Sequence, residues 1–200
     1  MAVVKLSTAG LTNYAKYSSM LAGNAPFVAS AYDLLETTTL SSSASSVTFS
    51  SLDTLAAGYA HLQIRSVTKG AANNFGNSRI GITFNGDTTG YSRHTLQGDG
   101  SSVVSQAAAN SNRVDVSDAT AESNASYAGV FGASIVDILD FSNTSKNTTV
   151  RSLSGSIMQN KAVTLNSGAW LDLAAVTSIN LEAGNGDFVA GCRFSIYGVK

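Results

Sequence analysis

The chain has 200 residues, which suits one domain with a buried core and a short appendage. Only 12% of the residues are charged and 44% are hydrophobic, with 18 glycines and one proline, a composition that argues against a disordered, collagen-like or coiled-coil protein. The net charge is −1 and the basic residues are scattered, so we expect no nucleic-acid partner, and the longest nearly apolar run, 128–139, is too short to insert across a membrane.

Residues 1–31 differ from the rest of the chain and are predicted to be an attachment arm in front of a domain at 32–200. Apolar side chains at helical spacing occur at Leu11, Tyr14, Tyr17 and Leu21. So short a helix is marginal alone and must pack on something, either its own domain or a neighbouring chain. We predict the second arrangement, in which these side chains are buried on a partner.

From Tyr32 onward, short runs of alternating apolar and polar residues predict β-strands separated by turns. The predicted strands are 32–40, 47–49, 59–67, 79–84, 91–97, 128–141, 148–158, 161–173, 176–181 and 188–197. The segment 98–122 is predicted to be a long polar loop with one short strand at 113–116. The dipeptide Asn85-Gly86 predicts a hairpin, because both residue types tolerate positive φ.

The alternation also predicts which side chains form the core. The side chains with the inward phase are Leu62, Ile64, Ile80, Ile82, Phe84, Val136, Ile138, Phe194 and Ile196. Two antiparallel sheets packed face to face would bury this set. The sequence therefore predicts an all-β fold, a jelly-roll-like antiparallel β-sandwich preceded by an arm or short helix.

Two acidic residues, Asp137 and Asp140, occur in an otherwise apolar strand, and a carboxylate there needs a partner. Arg151 is the nearest cation across the turn at 142–147. If Phe141 pairs with Thr148, Arg151 lies diagonally from Asp140, so we predict a salt bridge between these two side chains.

Six stretches carry a resemblance to a known class of proteins. They are YAHLQIR (59–65), ITFNGDT (82–88), LQGDGSS (96–102), IVDILD (135–140), TVRSLSG (149–155) and FSIYGVK (194–200). Their order and spacing resemble virion structural proteins of tailed bacteriophages, especially phages of marine and cyanobacterial hosts, over most of 47–200. The resemblance implies a β-sandwich module built into the particle, in a tail fibre, at the tail tip or on the capsid, and a homo-oligomer, a trimer by family analogy.

Catalytic motifs are absent from the sequence. No Gly-x-Ser-x-Gly occurs, His61 and His94 are the only histidines, and no cysteine, histidine or acidic spacing predicts a metal site or a cofactor. Thirteen acidic residues leave room for a glycosidase pair, but no two stand out, so a polysaccharide depolymerase is the least favoured alternative. Cys192 is the single cysteine, which indicates synthesis in a reducing host cytoplasm. We predict that the protein is not an enzyme.

A few side chains are candidates for binding. Loop aromatics stack on sugars, which makes Phe75 and Tyr91 candidates. The other candidates in or beside the predicted loops and turns are Asn77, Asp87 and His94. Trp170 is flanked by Ala169 and Leu171 and is expected on the outer face of its strand, where a lone tryptophan marks a subunit interface.

These expectations predict a virion structural protein in one of two roles. The first is a tail or fibre module of the virion that attaches to host-surface glycans. The second is a capsid decoration (cement) protein that binds the major capsid protein. In both, the partners are other virion proteins and further copies of the chain.

Overall fold

A computed structural model describes residues 31–71, 79–121, 129–156 and 162–200, and the findings below concern these residues. The predicted arm, with Leu11, Tyr14, Tyr17 and Leu21, lies outside the described residues. The loop candidates Phe75 and Asn77 lie outside them too. Residues 32–200 form one compact unit.

The described chain is built almost entirely from strands. In chain order they are β1 (Tyr32–Thr39), β2 (Ser46–Phe49), β3 (His61–Gly70), β4 (Arg79–Phe84), β5 (Tyr91–Gly98), β6 (Val103–Ser111), β7 (Val114–Asp118), β8 (Thr120–Ala121), β9 (Gly132–Leu139), β10 (Thr148–Ser156), β11 (Ala162–Trp170), β12 (Ile179–Ala183) and β13 (Arg193–Val199). One helical turn, α1 (Leu52–Leu55), lies between β2 and β3. Within the described ranges, no helix has the length and apolar character needed to span a membrane.

The strands form two sheets. The larger sheet has the order β1-β13-β3-β9-β10-β11-β5-β6, and β8 joins β3 at its end in parallel. The smaller sheet has the order β2-β12-β4-β7. The remaining pairs in both sheets are antiparallel.

The strand order confirms the predicted jelly-roll-like sandwich. The pairs β1–β13, β2–β12, β3–β9 and β4–β7 are nested, so the first strand meets the last and the middle strands meet each other. The four sheet neighbours β1-β13-β3-β9 face β2-β12-β4-β7. The two further pairs, β5–β6 and β10–β11, extend the larger sheet, and β10 and β11 also pack against β7.

The core lies between the two sheets. All nine residues predicted from alternation are buried there, each at most 1% exposed. Aromatic side chains complete it, including Phe49 from β2 and Phe188 from the loop before β13. The strands β3, β4, β9 and β13 therefore present the predicted face inward, because a slip of one residue would have exposed the whole set.

The predicted long loop at 98–122 is wrong, although its one predicted short strand at 113–116 is confirmed by β7. It contains β6, β7 and β8, and β6 pairs along its length with β5 at the edge of the larger sheet. Most residues of β6 are exposed, so an alternating pattern had no core to match. Its Ala- and Ser-rich sequence therefore resembled a loop.

The predicted hairpin at Asn85-Gly86 is also wrong, although the turn itself forms. Both residues have positive φ, 53° and 74°, and the Asp87 amide donates to the Phe84 carbonyl at 2.9 Å. The turn carries the chain from β4 in the smaller sheet to β5 in the larger one. The dipeptide therefore predicts the local turn but does not determine which sheet the next strand joins.

The structure contradicts the predicted Asp140–Arg151 salt bridge. Asp140 has a left-handed φ of 56°, which ends the strand at Leu139 and shifts the register by one residue. Asp137 then lies directly opposite Arg151, whose Nε donates to Asp137 Oδ2 at 2.9 Å. Asp140 instead pairs with Lys146, with Nζ and Oδ2 3.3 Å apart.

Candidate functional site

The outer face of the larger sheet carries a row of exposed apolar side chains. Ile135, Leu153, Leu165 and Leu96 lie directly opposite one another on the adjacent strands β9, β10, β11 and β5. Their exposed fractions are 46%, 54%, 51% and 48%. We call these four residues the apolar row. Since neighbouring strands are about 4.8 Å apart, the row spans roughly 14 Å across a continuous sheet.

A second line of small and apolar residues borders the apolar row. Val163 on β11 lies opposite Gly155 and Gly98, and Gly98 lies opposite Val103 on β6. Val163 and Val103 are 60% and 73% exposed. The two lines together form an uncharged surface, because none of these positions carries an ionisable side chain.

Charged and polar side chains border the other side of the row. Asp137 accepts hydrogen bonds from Gln63 Nε2 at 2.8 Å and from Arg151 Nε at 2.9 Å. Arg65 Nε donates to Gln63 Oε1 at 2.9 Å, and its guanidinium lies 4.5 Å from the ring centre of Tyr197. An apolar centre with an ordered polar rim is the usual anatomy of a protein interface.

A second feature lies in a cleft between the sheets, where three arginines surround one buried carboxylate. Asp115 on β7 is only 2% exposed. Its Oδ2 lies 3.2 Å from Arg79 Nη1 on β4, and its Oδ1 lies 3.2 Å from Arg113 Nε. Arg93 from β5 in the larger sheet pairs with the same carboxylate through Nη1. We call this group the arginine cleft.

Two further carboxyl groups lie beside the arginine cleft. Arg113 Nη1 also donates to Glu182 Oε1 at 2.8 Å, and Asp118, whose pKa is raised by burial, lies opposite Arg79 and interacts with its charge. Burial lowers the pKa of Arg93, and the neighbouring positive charges of Arg79 and Arg113 lower it further. Like charges held this close disfavour one another and favour an additional negative group.

Two glycines shape the arginine cleft. A Cβ on Gly81 would collide with the aliphatic stem of Arg113, and one on Gly184 would lie 2.7 Å from Arg113 Nη2. The cleft has a volume of about 480 Å³, and amide side chains from Gln106 and Asn185 complete its wall. Its size falls within the range of small-ligand sites.

The structure brings three of the predicted binding residues together, with Tyr91 and Trp170 in the core and Asp87 half-buried in the turn beside them. Trp170 Nε1 donates to Asp87 Oδ2 at 3.0 Å, and the Tyr91 and Trp170 rings stack with centres 6.4 Å apart. The Tyr91 hydroxyl accepts from the Phe84 amide at 2.8 Å, and burial raises its pKa to about 12. His94 lies apart from them, exposed on the outer face of β5 opposite Ser167.

The predicted outward position of Trp170 is wrong, since its side chain is 2% exposed and packs against Phe84. β11 ends at Trp170, and the exposed Leu171 and Leu173 lie beyond it. The predicted alternation used Leu171 and Leu173, which lie beyond the end of the strand, and it therefore gave the wrong face for Trp170. A ligand role for Asp87, Tyr91, His94 or Trp170 stays a prediction.

Sequence reasoning missed both the apolar row and the arginine cleft. The apolar row is visible in the sequence as Leu153 and Leu165, but their outward phase follows only from the strand pairing. The arginines are far apart along the chain and show no spacing pattern. Over the ranges that the structure describes, no group of three or more histidine, cysteine or acidic side chains could hold a metal ion.

No protein-family model matches the chain, and no curated protein matches it either.

Proposed function

We propose that the chain is a non-enzymatic structural protein of a tailed-bacteriophage virion, a tail or fibre module that assembles with its own copies and attaches to host-surface glycans. The apolar row is the observation that carries the proposal. The jelly-roll-like sandwich and the low charge of the chain support it, together with the six stretches that resemble virion proteins.

The apolar row favours a protein partner over solvent. Four half-exposed large side chains in register form a flat, continuous surface, and contiguous apolar patches of this kind mark interaction sites. Scattered exposed leucines would need no explanation, whereas alignment across four strands places them on one contact surface. Burial of the row on a partner therefore stabilises an assembly.

The partner favoured by this surface is a second copy of the chain. The apolar row is uncharged, and its rim holds both signs of charge, from Arg65, Asp137 and Arg151. A surface with both signs at its edge is self-complementary when symmetry brings two copies together. A self-complementary contact of this kind joins two copies about a two-fold axis, so the trimer that the resemblance implies needs a further contact between copies.

The arginine cleft gives no support to an enzyme reading. Asp115 and Glu182 both accept hydrogen bonds from arginines, which hold them as charge partners. A glycosidase needs one carboxyl group that stays protonated to act as an acid. Depolymerase activity is therefore not proposed.

Electron cryomicroscopy of particles of the phage that encodes this chain tests the proposal. The tail or fibre role predicts copies of the chain on the tail, with the apolar row covered by neighbouring copies. A capsid decoration role, the alternative, predicts single sandwiches on the shell with the row covered by the major capsid protein. Absence of the chain from the purified particle would contradict both.

A further inference from the structure

We propose that the arginine cleft binds an oxyanion, namely the carboxylate or sulfate group of an acidic saccharide. The inference rests on the host-attachment part of the proposed function and names the chemistry that the attachment would recognise. It is independent of the assembly surface, because the arginine cleft lies between the sheets and the apolar row lies on the outer face.

The first argument is the way in which the arginines are held. Arg79 comes from the smaller sheet, Arg93 from the larger one and Arg113 from the turn between β6 and β7, and all three converge on the carboxylate of Asp115. Asp115 is almost completely buried, so the charged groups are fixed in position before any ligand arrives. A preorganised site avoids the ordering cost that weakens binding.

The second argument is charge. Asp115 and Glu182 bond to the three guanidinium groups, and the charge of Arg79 also acts on Asp118, whose pKa is raised by burial. All three arginines are partly shielded from water, with side chains 22–31% exposed. An incoming anion would offset the repulsion among the three neighbouring guanidinium groups and gain charge-assisted hydrogen bonds.

The third argument is unused hydrogen-bonding capacity. Each guanidinium has five N–H donors. Within the described part of the chain, Arg93 pairs with Asp115 alone, while Arg79 and Arg113 each have one further side-chain partner, Gln106 and Glu182. Donors therefore remain at the opening, and the planar fork of arginine matches the planar carboxylate and the oxygens of a sulfate.

The wall of the cleft indicates the group that carries the anion. Gln106 and Asn185 supply amide donors and acceptors of the type that hydrogen-bond sugar hydroxyls. The cleft of about 480 Å³ has room for a sugar ring beside the anionic group. A long polyanion such as nucleic acid is not favoured, because the chain has 12 basic and 13 acidic residues and the basic ones form no stripe.

Calorimetric titration of the full chain tests the inference with four probes: methyl glucuronide, glucose 6-sulfate, methyl glucoside and inorganic sulfate. We expect both anionic sugars to bind at least about tenfold more tightly than the neutral glucoside, the scale of one charged hydrogen bond. Inorganic sulfate should compete at the same site but bind more weakly, since it cannot use the amide wall. Equal binding of the anionic and neutral sugars, or equal binding of inorganic sulfate and the sugars, would overturn the inference.

The variant Arg93→Gln removes one guanidinium and leaves Asp115 with two arginines, so we expect about a tenfold loss of affinity for methyl glucuronide. Arg93→Lys keeps the charge without the planar fork and should also weaken binding. The matched control, Arg193→Gln, changes an exposed arginine at the start of β13 and should bind like the unaltered chain. If Arg93→Gln fails to fold, the exposed Gln106→Ala gives the same test at the cleft wall.

Unchanged binding in the cleft variants would overturn the inference. Because the measurement uses the isolated chain, loss of this inference leaves the location of the chain in the particle and its self-association untouched. Conversely, a chain that binds acidic sugars but is absent from the tail would contradict the proposed tail or fibre role alone.

Discussion

The indole Nε1 of Trp170 donates a hydrogen bond to Oδ2 of Asp87, and the two atoms are 3.0 Å apart. Trp170 is the last residue of β11 in the larger sheet, and Asp87 belongs to the turn that leaves the smaller sheet. The same carboxylate accepts from the amide and hydroxyl of Thr89 through Oδ1. This bond therefore fastens the connection between the sheets to the edge of the core.

The first prediction concerns the pH dependence of this contact. The hydrogen bonds from Trp170 and then Thr89 lower the pKa of Asp87 below its ordinary value of 3.8. A lowered folded pKa means that the ionised group stabilises the fold above about pH 4 and that this stabilisation is lost as the pH falls through the folded pKa. Asp87→Asn should therefore lower the free energy of unfolding near neutral pH, and its deficit relative to the unaltered chain should shrink in acid. Urea unfolding over that pH range measures the difference, and a deficit that stays constant with pH would contradict the assignment.

The second prediction compares two glycines on neighbouring strands. A Cβ on Gly168 would lie 2.6 Å from Val114 Cγ1 of the smaller sheet and closer still to the carbonyl oxygen of Ser92 on β5, so Gly168→Ala should cost about 1–3 kcal/mol through overpacking. Gly155 has open space where its Cβ would be, so Gly155→Ala should leave the free energy of unfolding unchanged or slightly higher. Denaturant unfolding of the two variants separates them, and equal destabilisation would show that Gly168 does not face the smaller sheet.

The third prediction compares the two faces of the larger sheet. Leu62 is fully buried, so Leu62→Ala should lower the free energy of unfolding by about 2–5 kcal/mol. Leu153 is 54% exposed, so Leu153→Ala should change it by less than about 0.5 kcal/mol. The measurement is made at a concentration at which the chain is monomeric. A large loss from Leu153→Ala under that condition would mean that its side chain is covered within the chain itself.

The fourth prediction tests the register of the β9–β10 pair. Arg151 is 66% exposed and Asp137 25%, so their salt bridge should contribute less than about 1 kcal/mol. A double-mutant cycle with Arg151→Ala and Asp137→Ala should give a small favourable coupling. The parallel cycle with Asp140→Ala is the control and should give none. Coupling of Arg151 to Asp140 in place of Asp137 would contradict the observed register and support the one predicted from the sequence.

Alternation predicted the parts of the fold in which one face of a strand meets the core. Ile80, Ile82 and Phe84 repeat with period two and bury one face of β4, so strand, phase and burial all follow from the sequence. β6 has no such pattern, because it lies at a sheet edge where both faces meet water. Its position depends on pairing with β5, which no local signal encodes.

The candidate site was less predictable than the core, for a similar reason. The apolar row exists only because the strand registers align Leu153 with Leu165 and Leu96. A shift of one residue, of the kind that separates the predicted Asp140–Arg151 pair from the observed Asp137–Arg151 pair, would break the row. The arginine cleft depends on contacts between the two sheets, and these cannot be read from spacing along the chain.

Sedimentation analysis of the full chain tests the central claim, that the apolar row is an assembly surface between copies of this protein. We expect the unaltered chain to form a concentration-dependent oligomer. Leu153→Glu should convert it to a monomer, because the variant places an unpaired charge in the middle of an apolar contact. Thr48→Glu, which adds the same charge on an exposed residue of β2 in the opposite sheet, should leave the oligomer intact. A chain that sediments as a monomer at every concentration, or an oligomer that Leu153→Glu leaves unchanged, would contradict the account.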